Sequence, residues 1–353
     1  MTISESRLFS PIRLGSIELK HRVVMAPLTR LRASTDGVPS DLAIKYYSQR
    51  ASGECLCTGG HWCPEIMKDG GLLITEGAYI ADEGKIWAYA PGFYSEKQPA
   101  AWEKISTAVH AKGGKIVAQL FAAGRVADPS VAATVWGPTD TPYEGTKVAA
   151  MTEDDIDRHV EHFRQAALNA IEAGMDGVEV HMANGYLLDQ FLQSVSNTRT
   201  DNYGGSLENR FRFPLRALNA ICDAIGAERV GIRISPYTDF QGMREADPLK
   251  LFMPFTEAFI SAQPNLAYVH AVEARDDLNA SATQSVDSLD PIREIVVSRG
   301  NNIKFMTAGT KTPGSALAET RTTEPGQRMI LLYSVDISFP IPIYQTGFET
   351  GIR

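Results

Sequence analysis

Long apolar runs are missing from this chain: no segment approaches the roughly 20 residues needed to cross a bilayer, so no membrane partner is expected. Cysteine is scarce. Four residues in 353 cannot form a disulfide framework. Basic charge is not in excess either. Lys and Arg number 34 against 42 Asp and Glu, a net charge of −8. A surface that grips nucleic acid needs a local surplus of Lys and Arg, so nucleic acid is not the expected partner. A small anionic cofactor in a local pocket stays compatible with that balance. Met1 to Lys20 mixes Ser, Glu, Arg and Lys with isolated apolar residues and has no continuous apolar core of a secretory leader, so a cytoplasmic protein is expected.

Short β-branched or apolar runs recur along the chain, with helix-length amphipathic stretches between most of them. The pattern predicts strands near Val23–Leu28, Leu72–Ile80, Lys115–Leu120, Gly177–His181, Val230–Ser235, Ala267–Val272, Ile303–Ala308 and Met329–Val335. It predicts helices over Gln98–Lys112, Glu153–Ala173, Ser206–Ala224 and Leu249–Ala262. Strands alternating with helices pair in parallel, because a parallel crossover needs a dozen or more residues. Eight such strands fit one domain, residues 1–353, folded as a (β/α)8 TIM barrel of the α/β class. In the helix from Glu153, Thr152 is the expected N-cap and Gly174 the expected C-terminal stop. Ile156, Val160, Phe163, Ala167 and Ile171 form its expected buried stripe.

In a parallel barrel the C-terminal ends of the strands converge on the active site. Those ends carry Pro27 and Thr29, Gly77, Gln119, His181 with Asn184, and Arg233. His181 and Asn184 are three apart, close enough to aim two hydrogen-bond donors at one ligand oxygen and stabilise negative charge developing there. Tyr186 adds a phenol whose ordinary pKa of about 10 keeps it protonated and available as a general acid. A polarised acceptor plus an acid suits reduction of an activated double bond. No side chain here supplies a hydride, so a redox cofactor is implied. No second His or carboxylate stands at metal-ligand spacing from His181, and no metal is expected.

The run from Gly177 through His181-Met182-Ala183-Asn184-Gly185-Tyr186 to Leu188 resembles the substrate-site strand of the Old Yellow Enzyme family. It continues into a second family signature, Asn197-Thr198-Arg199-Thr200-Asp201-Asn202-Tyr203-Gly204-Gly205-Ser206-Leu207-Glu208-Asn209-Arg210. Met25-Ala26-Pro27-Leu28-Thr29-Arg30, Ile74-Thr75-Glu76-Gly77, Ala118-Gln119-Leu120 and Ile232-Arg233-Ile234-Ser235-Pro236 resemble other strand ends of that family. The resemblance implies FMN as cofactor and NADPH as hydride source. It implies flavin contacts from Pro27, Thr29, Gly77, Gln119, Arg233 and Gly309. His181 and Asn184 would bind the substrate oxygen, and Tyr186 would protonate the α-carbon as the flavin delivers hydride to the β-carbon. Substrates would be α,β-unsaturated aldehydes or ketones, or nitroalkenes, handled by a monomer or homodimer. Phe121 stands where many members carry Trp.

Two segments depart from the family pattern. Residues 53–68 are an apparent insertion, where Cys55, Cys57, His61 and Cys63 lack the paired Cys spacing of a zinc site. Gly53-Glu54-Cys55 is compatible with codons containing GTGAGT, a common intron start, and Lys68-Asp69 with the AG that ends introns, so the segment reads as a retained intron. The tail from about residue 319 to 353 is also aberrant. Thr307-Ala308-Gly309 survives, but Thr310 replaces the usual second Gly, and the eighth strand lacks the Gly-Arg pair that grips the FMN phosphate. With each codon taken from the last base of one triplet and the first two of the next, Ser334 to Gln345 is compatible with Gly-Arg-Tyr-Phe-Ile-Ser-Asn-Pro-Asp-Leu-Pro, the family's pattern. A frame change between about Ala318 and Met329 explains this. Pro340 and Pro342 then leave the eighth helix broken or missing. Loss of a charge-assisted phosphate contact weakens FMN binding roughly ten- to a hundredfold. The alternative to an active reductase is therefore a flavin-poor, non-catalytic isoform or relic of the same barrel.

Overall fold

The computed structural model describes residues 7–51, 71–274 and 287–309, and the backbone of 328–332. A short antiparallel hairpin, β1 (Ile12–Leu14) and β2 (Ile17–Leu19), comes first. The repeating unit then begins with β3 (Val23–Met25), α1 (Asp41–Ala51), β4 (Leu72–Tyr79), α2 (Lys97–His110) and β5 (Lys115–Phe121). Two-residue strands β6 (Trp136–Gly137) and β7 (Ala149–Ala150) follow, then α3 (Glu153–Glu172), β8 (Gly177–Met182), α4 (Leu187–Leu192) and α5 (Leu207–Ile225). The chain continues through β9 (Val230–Ile234), α6 (Pro248–Ala262), β10 (Tyr268–Val272), α7 (Asp290–Arg299), β11 (Lys304–Ala308) and β12 (Arg328–Leu332). Strands β3, β4, β5, β8, β9, β10, β11 and β12 pair in parallel, in that order, and β12 returns to β3. This is the expected closed eight-stranded barrel.

Strand alternation divides the core in two. Val178, Val180 and Met182 point outward and join Ile232, Ile234, Val269 and Phe305 in the layer packed under the helices. Inward positions are filled near the N-terminal end by Val24, Leu72, Ile74, Val117, Tyr268 and Met306. Ile12, Leu14, Ile17 and Leu19 of the hairpin belong to the same apolar cluster and plug that end. The Ser16 N–H donates to the Glu228 carbonyl just ahead of β9, which fixes the plug to the N-terminal face. Higher in the barrel the inward positions turn polar, and that change makes room for a site.

Helix α3 shows how the sequence sets its own ends. The Thr152 hydroxyl accepts from the Asp155 N–H at 3.2 Å, and the Asp155 carboxylate accepts from the Thr152 N–H at 2.9 Å, a reciprocal cap. Gly174 follows with φ of 76°. The buried stripe differs from the expected one. It runs through Ile156, His159, Phe163, Ala166, Ala167 and Ala170, while Val160 and Ile171 are half-buried. The small Ala side chains face the barrel, and His159 packs edge-on against Trp136 at 6.2 Å, so polarity alone misplaced the face by part of a turn. The expected insertion at 53–68, Thr310, the bulk of the tail and the expected eighth helix lie outside the described residues.

Candidate active site

The C-terminal ends of the strands surround a cleft of about 160 Å³, large enough for a ring system and far too small for a macromolecule. Its walls are Pro27, Thr29, Gly77, Gln119, His181, Asn184, Tyr186 and Arg233, with Trp87 and Phe121. The first eight are residues that the sequence singled out. Gly309, the remaining one, follows β11 with φ of 140° and is not among the lining residues.

His181 is 4% exposed. Its Nδ1 accepts from the Ala183 N–H at 3.3 Å, so the ring proton sits on Nε2, the other side of the ring. Burial, reinforced by the nearby Arg233 and His270, holds the imidazole well below its usual pKa. His181 is thus a neutral donor. Asn184 takes a left-handed backbone, φ 58°, ahead of Gly185 at 75°, and its N–H donates to Ser235 Oγ at 2.7 Å. That turn ends β8 abruptly and leaves the half-buried Asn184 on the cleft wall. Tyr186 opens α4. Its ring lies edge-on to His181 at 4.9 Å and to Phe121 at 5.0 Å. Burial raises its phenol pKa above the ordinary value, with the Gln241 hydrogen bond and the Arg233 charge opposing the shift. The hydroxyl therefore keeps its proton at neutral pH.

Gly77 leaves room for two neighbours on the cleft wall. A Cβ there would come within 3.0 Å of the Phe121 ring and 3.5 Å of Gln119 Oε1. Phe121 stacks on Tyr79 at 4.8 Å. The Tyr79 hydroxyl in turn accepts from the N–H groups of Ile86 and Trp87 at 3.0 and 2.9 Å, pinning the loop that brings Trp87 to the cleft. Trp87 lies in a loop between elements, where periodicity gives no signal.

Sequence reasoning also missed Glu179 and His270, both fully buried beneath the cleft. Glu179 is two residues before His181 and so shares its inward face, a signal that was there to be read. Its carboxylate accepts from Gln119 Nε2 at 2.7 Å and from His270 Nδ1 at 2.9 Å. Burial opposes its ionisation, but the His270, Arg233 and Gln119 groups aimed at it outweigh that and hold its pKa below the ordinary carboxyl value.

Among the described residues one group of potential metal ligands converges elsewhere, Glu83, His159 and His162. Both Glu83 oxygens are already engaged, one by Arg158 Nε and one by Trp136 Nε1, each at 3.2 Å, and His159 Nδ1 donates to the Asp155 carbonyl at 2.8 Å. The group fastens α3 to the loop after β4.

A barrel cleft with two neutral donors, a phenol and a buried guanidinium offers hydrogen-bond donors in place of a metal's carboxylate, thiolate or paired imidazole ligands, and suits a planar, electron-accepting ring. The donor set suits the flavin of FMN: Gln119 and Arg233 would meet its polar edge and Gly77 its face. The chain matches the NADH:flavin oxidoreductase / NADH oxidase family over residues 7–331. Chanoclavine-I aldehyde reductase of Penicillium roqueforti is 43% identical over 277 residues, 76% of this chain and 70% of that protein. 12-Oxophytodienoate reductase 7 of Oryza sativa subsp. japonica is 40% identical over 292 residues, 77% of this chain and 70% of that one. The crystal structure of Old Yellow Enzyme from a Pichia species superposes with a TM-score of 0.80 at 32% identity, covering 94% of this chain and 84% of the other. The class is that of flavin-dependent barrel oxidoreductases, and the chain belongs to the Old Yellow Enzyme family within it. No helix among the described residues is long and apolar enough to cross a membrane.

Proposed function

We propose that this protein uses NADPH and FMN to reduce the activated C=C bond of α,β-unsaturated aldehydes, ketones or nitroalkenes. The observation that carries this reading is the meeting of His181, Asn184 and Tyr186 with Gln119, Arg233 and Gly77 in one cleft. FMN, when bound and reduced, supplies the hydride. The neutral His181 Nε2–H and the Asn184 amide hold the substrate's carbonyl or nitro oxygen and stabilise the charge that builds on it. Tyr186 gives its proton to the α-carbon, and burial keeps that proton on the phenol until it is needed. Because a nicotinamide also carries a carbonyl oxygen, the same two donors serve NADPH first and the substrate second. The Penicillium relative, named as an aldehyde reductase, and the rice relative, named for an oxo-diene acid, support carbonyl-activated substrates.

One observation favours a second reading, a flavin-poor barrel. The expected phosphate-gripping Arg has no counterpart at the end of β12: the one Arg of that strand, Arg328, stands at its start, in register with Phe305. Purified protein showing a flavin absorption band and oxidising NADPH only when cyclohexenone is present supports the reductase; a colourless protein that stays inert when FMN is added supports the relic.

A further inference from the structure

The polar layer under the cleft has a direction built into it. An ionised carboxylate only accepts hydrogen bonds, so Glu179 dictates what its neighbours present to it. Its Oε1 takes the amide nitrogen of Gln119 at 2.7 Å, and its Oε2 takes the Nδ1–H of His270 at 2.9 Å. Glu179 and His270 are both fully buried, and Gln119 is 3% exposed. Strand register places Gln119 directly beside Glu179, and His270 beside Arg233, so the arrangement is fixed by backbone pairing. From below, the buried Tyr268 closes the layer, and Gly231 makes room for it: a Cβ at Gly231 would fall 2.2 Å from the Tyr268 ring. With its nitrogen committed to Glu179, Gln119 has its amide oxygen left for the cleft, where it lies beside Gly77.

We propose that Glu179 is a positioning residue for cofactor recognition: it locks Gln119 so that the cleft offers a hydrogen-bond acceptor, which selects a ring edge carrying an imide N–H. This inference rests on FMN being the cofactor. The pyrimidine part of a flavin has such an N–H between two carbonyls, and a cleft offering an amide NH2 instead would face it donor to donor. Arg233, on the next strand from Glu179, supplies the donor that the flanking carbonyls require.

Glu179→Gln tests this with a nearly isosteric change. The new side chain keeps its oxygen on the His270 N–H and turns its NH2 toward Gln119, which must then rotate its own oxygen inward and expose nitrogen to the cleft. We expect the full-length Glu179→Gln protein to bind FMN about tenfold more weakly, with thermal unfolding and circular dichroism close to wild type. In a Gln119→Ala background the same substitution is expected to change FMN affinity less than about twofold, because the residue through which it acts is gone. Unchanged affinity in the single variant, or an equal loss in both backgrounds, overturns the proposal. If Glu179→Gln does not fold, FMN methylated at the imide nitrogen gives the answer with wild-type protein: it should bind about tenfold more weakly than FMN, and equal binding overturns the idea. Wild-type protein with no saturable FMN binding would refute the cofactor assignment itself, a different outcome from any of these.

Discussion

At the residue scale the chemistry turns on which atoms carry protons. The Ala183 N–H places the His181 proton on Nε2, and burial keeps the ring neutral, so under the proposed function no charged imidazole competes with Tyr186 as acid. Tyr186 is the one buried phenol that lines the cleft among the described residues. Replacing it with Phe keeps the ring packing against His181 and Phe121 and removes only the proton. Steady-state assays of Tyr186→Phe with cyclohexenone should show kcat lowered about a hundred- to ten-thousandfold, while anaerobic reduction of the bound flavin by NADPH proceeds at the wild-type rate. Loss of both steps together would mean that the residue is structural. The triad His181, Asn184 and Tyr186 was legible from its spacing at a strand end. Glu179 and His270 were not found, because attention to strand ends passes over the inward residues one layer below. Trp87 could not be found, since a loop residue reaches a cleft only through tertiary contacts such as those of Tyr79.

At the element scale the turn after β3 is held by Glu76 of β4. Its Oε2 accepts from the N–H groups of Arg30 and Leu31 at 2.8 and 3.3 Å, which fixes the segment carrying Pro27 and Thr29. Burial raises the Glu76 pKa to about 7, against these hydrogen bonds and the nearby Arg30 charge. The folded value lies above the ordinary 4.5, so between those pH values the folded chain keeps a proton that the unfolded chain has lost. The stability this group contributes is fully present below pH 4.5 and disappears as pH rises through about 7. Glu76→Gln carries a comparable donor and no titration. Urea unfolding should find the variant gaining on wild type across that window, by up to about 3 kcal/mol. Parallel pH profiles for the two proteins would contradict this. The eight barrel strands and the larger helices were legible from periodicity, to within a few residues. The hairpin of β1 and β2 was not, because two three-residue strands are too short to show an alternation. The face of α3 was shifted because the buried His159 reads as polar in sequence.

At the scale of the whole molecule the two ends of the barrel have separate fates. The N-terminal face is closed by the hairpin, and the described residues that flank the apparent insertion at 53–68, Ala51 and Gly71, lie toward that face: Ala51 packs beside Gly114, just before β5. At the other end, His181, Asn184 and Tyr186 line one cleft together. The phosphate end is where sequence and family part. If the tail is a frame change and residues 53–68 a retained intron, a chain lacking 53–68 and carrying the shifted-frame tail regains the Gly-Arg pair. Fluorescence titration should then show FMN bound roughly ten- to a hundredfold more tightly than by the chain as it stands. Equal affinities would mean that this chain holds the phosphate by other groups. The present chain should also gain thermal stability as FMN is added, since a ligand that binds only the folded state shifts the equilibrium by mass action.

Under the proposed function one cleft serves both halves of a flavin-mediated reduction. The most direct measurement follows the flavin spectrum of the protein with FMN under anaerobic conditions, as NADPH and then cyclohexenone are added. NADPH should bleach the bound flavin and the enone restore its colour, with one equivalent of saturated ketone formed per flavin. A flavin that NADPH does not bleach, or one that stays bleached in excess enone, would contradict it.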